Sequence, residues 1–340
     1  MRFKPSTIKD IALALNLSTS TVSRAMRDSY EISAETKKLV LDYAKKINYT
    51  ANPIARSLKE RRSYSIGIIV SEIANNFYSQ VINGVESVAH NKNYQVVISQ
   101  THESAEREKM NVEYLSSRSV DGLLISLSSE TNDIEYLKTL HKQGYPIVFF
   151  DRIPEDFDTF KVTSNNFKGA FDATEHLILN GHSKIAHLTN SKSLSITKER
   201  LAGYQAALKK HHIRYDENLV KFSEYGGMHM QEIDEAIDAL FEQKFDAIFI
   251  SGDKLSTGYL MYSKKKYPKL ISKIAIAGFT NSNVVSIFSP SLTVVRQPAF
   301  EMGKVATDLL IQMIEAKRPI TEYETITLET ELIDEKDLKI

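Results

Sequence analysis

The sequence predicts an α/β protein: two doubly wound parallel-sheet lobes behind a small all-helical N-terminal module. Three observations predict it. From Ser65 onward, apolar runs of strand length recur, at 66–70, 96–98, 122–125, 147–150, 185–188, 247–250 and 274–279. Amphipathic helical patterns such as Val81-Val85-Val88-Ala89 and Leu201-Tyr204-Ala207-Leu208 separate most of them, and runs buried on both faces that alternate with helices indicate parallel sheets. About 275 residues of this texture exceed one comfortable core, so two lobes are expected, meeting near Lys161–Asn166. Ahead of them, residues 1–62 carry only helical patterns.

Taken in order, the first helix opens at Thr7-Ile8-Lys9-Asp10, which has the form of a capping box. Ile8, Ile11, Ala12 and Leu15 follow as one apolar stripe. Asn16 tolerates the left-handed backbone of a tight turn, and Leu17 packs beneath it. Ser18 caps a second helix in which Val22, Ala25 and Met26 face inward. Its other face carries Thr19, Ser20, Ser23, Arg24 and Arg27. Short hydroxyls and arginines on an outward face suit close approach to phosphates and base edges. The stretch from Thr7 to Arg27 therefore reads as a helix-turn-helix.

A third helix starts with Ser33 as cap and runs through Leu39, Val40, Tyr43, Ala44 and Ile47. Next, Asn52-Pro53 puts a capping residue before a proline at the first helical position, with Ile54, Ala55 and Leu58 on one side. So short a helix is marginal in water and folds only when something packs on it. Glu60–Ser63 reads as a linker. Ligands of open α/β sheets bind outside the carboxyl ends of the strands. The segments that follow those ends are Ser71–Tyr78, Ser126–Ser129, Asp151-Arg152, Thr189–Arg200, Ser251–Lys254 and Thr280–Asn283.

The formal net charge of zero hides an asymmetry: residues 1–62 hold 13 Lys/Arg against 6 Asp/Glu, the rest 30 against 37. A basic small module on an acidic large one is the pattern of a nucleic-acid reader on a sensor body. The chain has no cysteine, which removes disulfides, thiolate metal sites and thiol catalysis. Its nine histidines show no metal-ligand spacing, so no metal is expected. No G-x-G-x-x-G after a strand, phosphate-binding loop or nucleophile elbow is present, so neither a cofactor nor catalysis is expected. No apolar run approaches a membrane span, and no secretory leader is seen; a cytoplasmic, nucleoid-associated protein is the expectation.

Taken together, the chain resembles the lactose/galactose repressor (LacI/GalR) family of bacterial transcription regulators over nearly its whole length. TIKDIALALNLSTSTVSRAM is similar to the family headpiece and NPIARSLK to its hinge helix. VDGLLI, GHSKIAHL, RLAGYQAAL, FISGD and LTVVRQP look like body signatures. The resemblance implies a headpiece at 1–51, a hinge helix and linker at 52–62, and a periplasmic-binding-protein-like body of type I at 63–340. The first lobe would hold about 65–162 plus 297–322, the second about 163–296 plus 323–340.

It also implies a homodimer on double-stranded operator DNA with two inverted half-sites. Thr19, Ser20 and Arg24 match positions that read bases, and Thr7, Ser18, Thr21, Ser23, Ser33 and Thr36 match positions that tie the headpiece to phosphates. In the hinge, Leu58 matches the leucine that wedges open a minor-groove base step, with Asn52, Ala55 and Lys59 in the same DNA-binding helix. The C-terminal stretch has no leucine heptad run, so a dimer is expected over a tail-linked tetramer.

For a small-molecule effector, sugar or sugar derivative, the resemblance points to Phe77, Tyr78, Ser126, Asp151, Arg200, Tyr225, Asp253, Thr280 and Gln297. An aromatic plane with Arg and carboxylate hydrogen bonds suits a polyol. Lys192, Lys198 and Lys254 are expected to be solvated. One departure stands out: after IAIAGF many relatives carry an effector-binding aspartate, and this chain has Thr280-Asn281. A solute-binding protein without regulatory role, or a regulator controlled by a nucleobase or a protein corepressor, are the alternatives.

Overall fold

The computed structural model describes residues 6–49, 62–117, 120–282, 292–334 and 337. The chain forms two compact units, Met1–Ser63 and Tyr64–Ile340. The expected hinge residues Asn52, Ala55, Leu58 and Lys59, and Asn283 of the last strand-end segment, lie outside the described residues.

In the first unit, three capped helices surround a six-residue core. Helix α1 (Ile8–Ala14) begins with a reciprocal box: the Asp10 amide donates to the Thr7 hydroxyl at 3.3 Å, and the Thr7 amide donates to the Asp10 carboxylate at 2.8 Å. Asn16 takes φ 53° and turns the chain, which an Asn does at little steric cost. Ser18 caps α2 (Thr19–Ala25) by accepting from the Thr21 amide at 3.0 Å, and Ser33 caps α3 (Ala34–Lys46) through Thr36 at 3.3 Å. Ile11, Ala12, Val22, Ala25, Val40 and Ala44 are buried together, with Ile8, Leu15, Leu17, Met26 and Ile47 packed against them. Leu39 is 51% exposed; it sits one position before the buried Val40, which turns it off the core face.

The second unit holds two six-stranded sheets. In the first, strand order is β11-β5-β4-β3-β1-β2. Its strands are β1 (Ser65–Val70), β2 (Gln95–Gln100), β3 (Leu123–Ile125), β4 (Ile147–Phe150), β5 (Lys161–Ser164) and β11 (Thr325–Leu328), and every pairing is parallel. Strand alternation feeds both faces. Ile66, Ile68 and Val70 point to helices α4 (Asn76–Asn91) and α12 (Ala299–Glu315). Ile69 points the other way, to α5 (Ala105–Ser117) and α6 (Glu135–Lys142). Helices α4 and α12 meet through glycines: a Cβ on Gly84 would fall 2.0 Å from the Phe300 carbonyl oxygen, and one on Gly303 2.1 Å from that of Val81.

The second sheet has order β12-β10-β9-β8-β6-β7. It comprises β6 (Ile185–Asn190), β7 (Val220–Ser223), β8 (Ala247–Ser251), β9 (Ala275–Phe279), β10 (Thr293–Arg296) and β12 (Glu331–Ile333). All pairings are parallel except β10 with β12. One face packs on α7 (Asn166–Leu179) and α8 (Ser195–Lys210). The other packs on α9 (Met230–Glu242) and α10 (Asp253–Lys266); the short α11 (Pro268–Ile271) follows.

Two expected lobe boundaries are corrected. Residues 163–164 complete β5 of the first sheet, and β11, expected in the second lobe, pairs with β5 in register Thr325 to Lys161. Only β12 returns to the second sheet. Strands β5, β7, β10, β11 and β12 hold only one or two apolar residues each, between or beside polar ones (KVTS, VKFS, TVVR, TITL, ELI), so they lack the long apolar run that marks the central strands.

Candidate functional site

The outward face of α2 is displayed as the sequence predicts: Ser18, Thr19, Ser20 and Arg24 are exposed, Thr21 and Ser23 half-buried. The Ser18 hydroxyl lies 2.7 Å from that of Ser20 and 2.8 Å from that of Thr21. Arg24 reaches Glu31 at 3.1 Å, both side chains well exposed. Exposed pairs of this kind contribute little, so the guanidinium is free to exchange Glu31 for an acceptor on another molecule. Arg27 donates to the Ser23 hydroxyl at 2.9 Å. Thr7 and Ser33 are exposed caps, and the Ser33 and half-buried Thr36 hydroxyls stand 2.9 Å apart.

In the second unit, the carboxyl ends of both sheets enclose a cavity of roughly 50 Å³. Phe77 and Tyr78, at the start of α4 just beyond β1, and Asp151, just beyond β4, line it from the first lobe. Arg200 of α8, Asp253 at the start of α10, and Thr280 beyond β9 line it from the second. Gln297, following β10, joins them. Phe77 and Tyr78 pack edge to face with centroids 5.2 Å apart.

Asp151 is buried and takes φ 58°, a left-handed conformation that a non-glycine residue adopts at a cost and that recurs at ligand sites. Burial pushes its carboxyl up, opposed by Arg200, Arg152 and hydrogen bonds from Gln297 and Tyr78, both at 3.5 Å. Burial pulls Arg200 down to about 10. Its Nε donates to the Asn166 side chain at 2.9 Å and its Nη1 to the Ser251 carbonyl at 3.3 Å. The guanidinium lies 3.8 Å over the Phe279 ring, a cation–π contact strengthened by burial. Asp253 is likewise pushed up by burial, while the Thr280 hydroxyl and the amides of Asn281, Phe77 and Ser282 draw it down.

Two expected cleft residues stand elsewhere. Ser126 is fully buried behind the wall and meets the Tyr78 hydroxyl at 3.0 Å. Tyr225 is 38% exposed, with its ring 4.1 Å from that of His229. Its neighbour Gly226, not Tyr225, lines the cavity; a Cβ there would sit 2.9 Å from Glu103 Oε1. The expectation for Lys254 is also corrected: it lines the cleft and forms an ion pair with Glu72 of the opposite lobe. Lys198 pairs with exposed Glu155 at 2.7 Å, and Lys192 stands 4.5 Å over Phe222.

Sequence reasoning placed Arg152 in a strand-end segment but gave it no role, and did not point to its partner Glu103. Arg152 lines the cavity, and its Nη1 donates to Glu103 at 2.6 Å, both groups buried. Burial raises the Glu103 carboxyl but the Arg152 pairing outweighs it, so the group sits below the usual range. These residues are 49 apart in the chain, and only the fold brings them together. Asn190, Phe279 and Asn281 also reach the cleft; strand-end position marked their segments, not the individual residues.

A helix-turn-helix unit joined to a body whose two sheets open onto one polar cleft defines a DNA-binding transcription regulator with an effector-binding domain. The chain belongs to the LacI family. Residues 7–52 match the family described as "Bacterial regulatory proteins, lacI family", and residues 63–336 that described as "Periplasmic binding proteins and sugar binding domain of LacI family". It is 32% identical to the probable regulator EndR of Paenibacillus polymyxa, over 92% of each chain. It is 31% identical to the ribose operon repressor of Halalkalibacterium halodurans, over 94% of this chain and 93% of that one. Among solved structures, the regulator CelR in complex with cellobiose is similar at TM-score 0.70 and 27% identity, over 97% of this chain and 98% of that one.

Proposed function

We propose that the protein is a repressor that binds, as a homodimer, an operator of two inverted half-sites, and that a small carbohydrate-type effector in the cleft alters its grip on DNA. The observation that carries the effector half is the convergence of Phe77, Tyr78 and Asp151 from one lobe with Arg200, Asp253 and Thr280 from the other on a single cavity. A ligand bridging them changes the balance between lobe arrangements in proportion to its different affinity for each. The names of the ribose operon repressor and of the cellobiose-bound regulator support a sugar.

On the DNA side, Thr19, Ser20 and Arg24 read base edges in the major groove. Thr7, Ser18, Thr21, Ser23, Ser33 and Thr36 hold phosphates. Asn52, Ala55, Leu58 and Lys59 contact the minor groove. Working on the bacterial chromosome, the protein acts in the cytoplasm. Coupling between the two sites is of the order of 1–3 kcal/mol and reciprocal.

The test selects the operator from a random inverted-repeat pool and titrates it by fluorescence anisotropy with and without sugars. Expected is a specific site whose affinity shifts with one sugar by about 5–150-fold. Binding that shows no preference among sequences, or a selected operator that Leu58→Gly leaves equally tight, overturns the DNA assignment.

A further inference from the structure

At the outer edge of the second sheet, β7, the 3₁₀ turn before it (Glu217–Leu219) and α8 flank a groove of two adjoining cavities, of roughly 650 and 580 Å³. Tyr215, Glu217 and Asn218 line both. Each volume falls within the ~300–1,000 Å³ of small-molecule sites, whereas the cleft between the lobes holds roughly 50 Å³. Among the described residues, none that lines the groove lines the cleft. The two are separate places on the lobe.

The walls combine an apolar bed with open polar groups. Leu201, Val220 and Phe222 line one cavity and the buried Tyr204 the other. Tyr215 is 38% exposed and stands edge-on to Tyr204, with centroids 6.3 Å apart. Thr197 of α8 is 1% exposed and lines the groove, and its hydroxyl has no hydrogen-bond partner in the protein. A buried hydroxyl left unpaired is costly, and a polar ligand atom in the groove supplies its partner.

Charge decides which ligand. The lining cations are Lys184, Lys192, Lys198 and Arg214, the lining acids Asp216 and Glu217. Lys198 is held by Glu155 at 2.7 Å, and Lys184 gives its Nζ to the Gln243 carbonyl. Asp216 accepts from the Asn218 amide and side chain at 3.0 and 2.9 Å. Arg214 pairs with no acid among the described residues, and neither does Lys192, which stands 4.5 Å over Phe222. The four cations, set against Asp216, Glu217 and Glu155, leave one positive charge over.

We propose that this groove is a second ligand site, distinct from the cleft between the lobes, for a small aromatic monocarboxylate. The flat body lies on Tyr215 and the apolar bed, where ring contacts favour it. Lys192 and Arg214 supply the charge that the carboxylate neutralises, and the Thr197 hydroxyl donates to it. Glu217 opposes a second negative charge, since a site gains specificity by repelling the wrong ligand.

The experiment is ligand-observed saturation-transfer NMR followed by calorimetry on the full chain. The probes are benzoate and 4-hydroxybenzoate, with benzyl alcohol as the neutral analogue and phenyl phosphate as the dianion. Expected is saturable binding of one carboxylate, the alcohol binding about 10–100-fold more weakly, the worth of hydrogen bonds to a charged group. Lys192→Ala and, separately, Arg214→Ala should each weaken the carboxylate by about tenfold. Thr197→Val, which keeps the side chain's shape, should weaken it by about 2–10-fold. Arg200→Lys, in the cleft, should leave it unchanged. Saturable binding of neither carboxylate, or of the alcohol equally well, overturns the site. So does an affinity that falls with Arg200→Lys and not with the groove variants, which puts the probe in the cleft. Tighter binding of phenyl phosphate overturns the choice of a monoanion.

Discussion

Thr280 donates its hydroxyl to the carboxylate of Asp253, and the Asn281 amide donates to the same oxygen at 3.0 Å. The resemblance to the family leads one to expect an aspartate at position 280, where this chain has threonine. The structure explains how this chain uses the threonine: it anchors an acid of the neighbouring strand end. Thr280→Val should cost roughly 1–3 kcal/mol by leaving a charged acceptor short of a donor. Thr280→Asp should place two carboxyls in contact, so that one stays protonated near neutral pH. Urea unfolding between pH 5 and 8 checks both: the Val variant shifts the midpoint at every pH, the Asp variant more at the high end.

Glu103 and Arg152 form a buried pair on the cleft wall, with the Ser129 amide adding a hydrogen bond to Glu103 at 2.8 Å. Removing one member leaves the other buried and unpaired. Glu103→Ala should therefore destabilise the body by about 3–5 kcal/mol. The pH dependence has a definite sign. The folded carboxyl lies below its ordinary value, so its stabilisation is complete above about pH 4.5 and is lost as pH falls through the folded value. Equilibrium unfolding of both proteins from pH 3 to 7 should show their difference shrinking on the acid side.

His187 is fully buried in β6, stacked on Phe249 with centroids 4.6 Å apart. Burial pulls its imidazole down to about 4, so it is neutral in the folded state. The unfolded chain takes up a proton below about pH 6.5, and the folded chain only near pH 4. Stability from this residue therefore falls as pH drops through that window, by at most about 3 kcal/mol. His187→Phe should flatten the slope of stability between pH 5 and 6.5. An unchanged slope would show that His187 is not its source.

Arg24 pairs with Glu31 on an exposed surface, so releasing it to DNA costs little. Arg24→Ala should weaken the selected operator by about 1–3 kcal/mol and relax preference at one base pair per half-site. Thr7→Ala removes a cap that closes α1 and should cost about 1 kcal/mol of headpiece stability. Anisotropy on single-base operator variants separates the two: the first changes the ranking of variants, the second weakens all of them alike.

Local patterns are where the sequence speaks for itself. Thr7, Ser18 and Ser33 cap helices because a short side-chain oxygen next to an apolar stripe has one good use there. Asn16 turns the chain because few residues accept positive φ. Central strands such as Ile147–Phe150 show themselves by burial on both faces. Those rules also placed Phe77, Tyr78, Asp151, Arg200, Asp253, Thr280 and Gln297 at strand ends, and the resemblance to a family picked them out individually. Strands with few apolar residues, such as β5, β7 and β11, escaped, because polar residues break the apolar run. So did the pairing of Glu103 with Arg152 and of Glu72 with Lys254, while Tyr225 and Ser126 do not line the cavity. Whether a charge is paired depends on which loops two sheets bring face to face. That distance is decided by packing between segments far apart in the chain, and no local pattern encodes it.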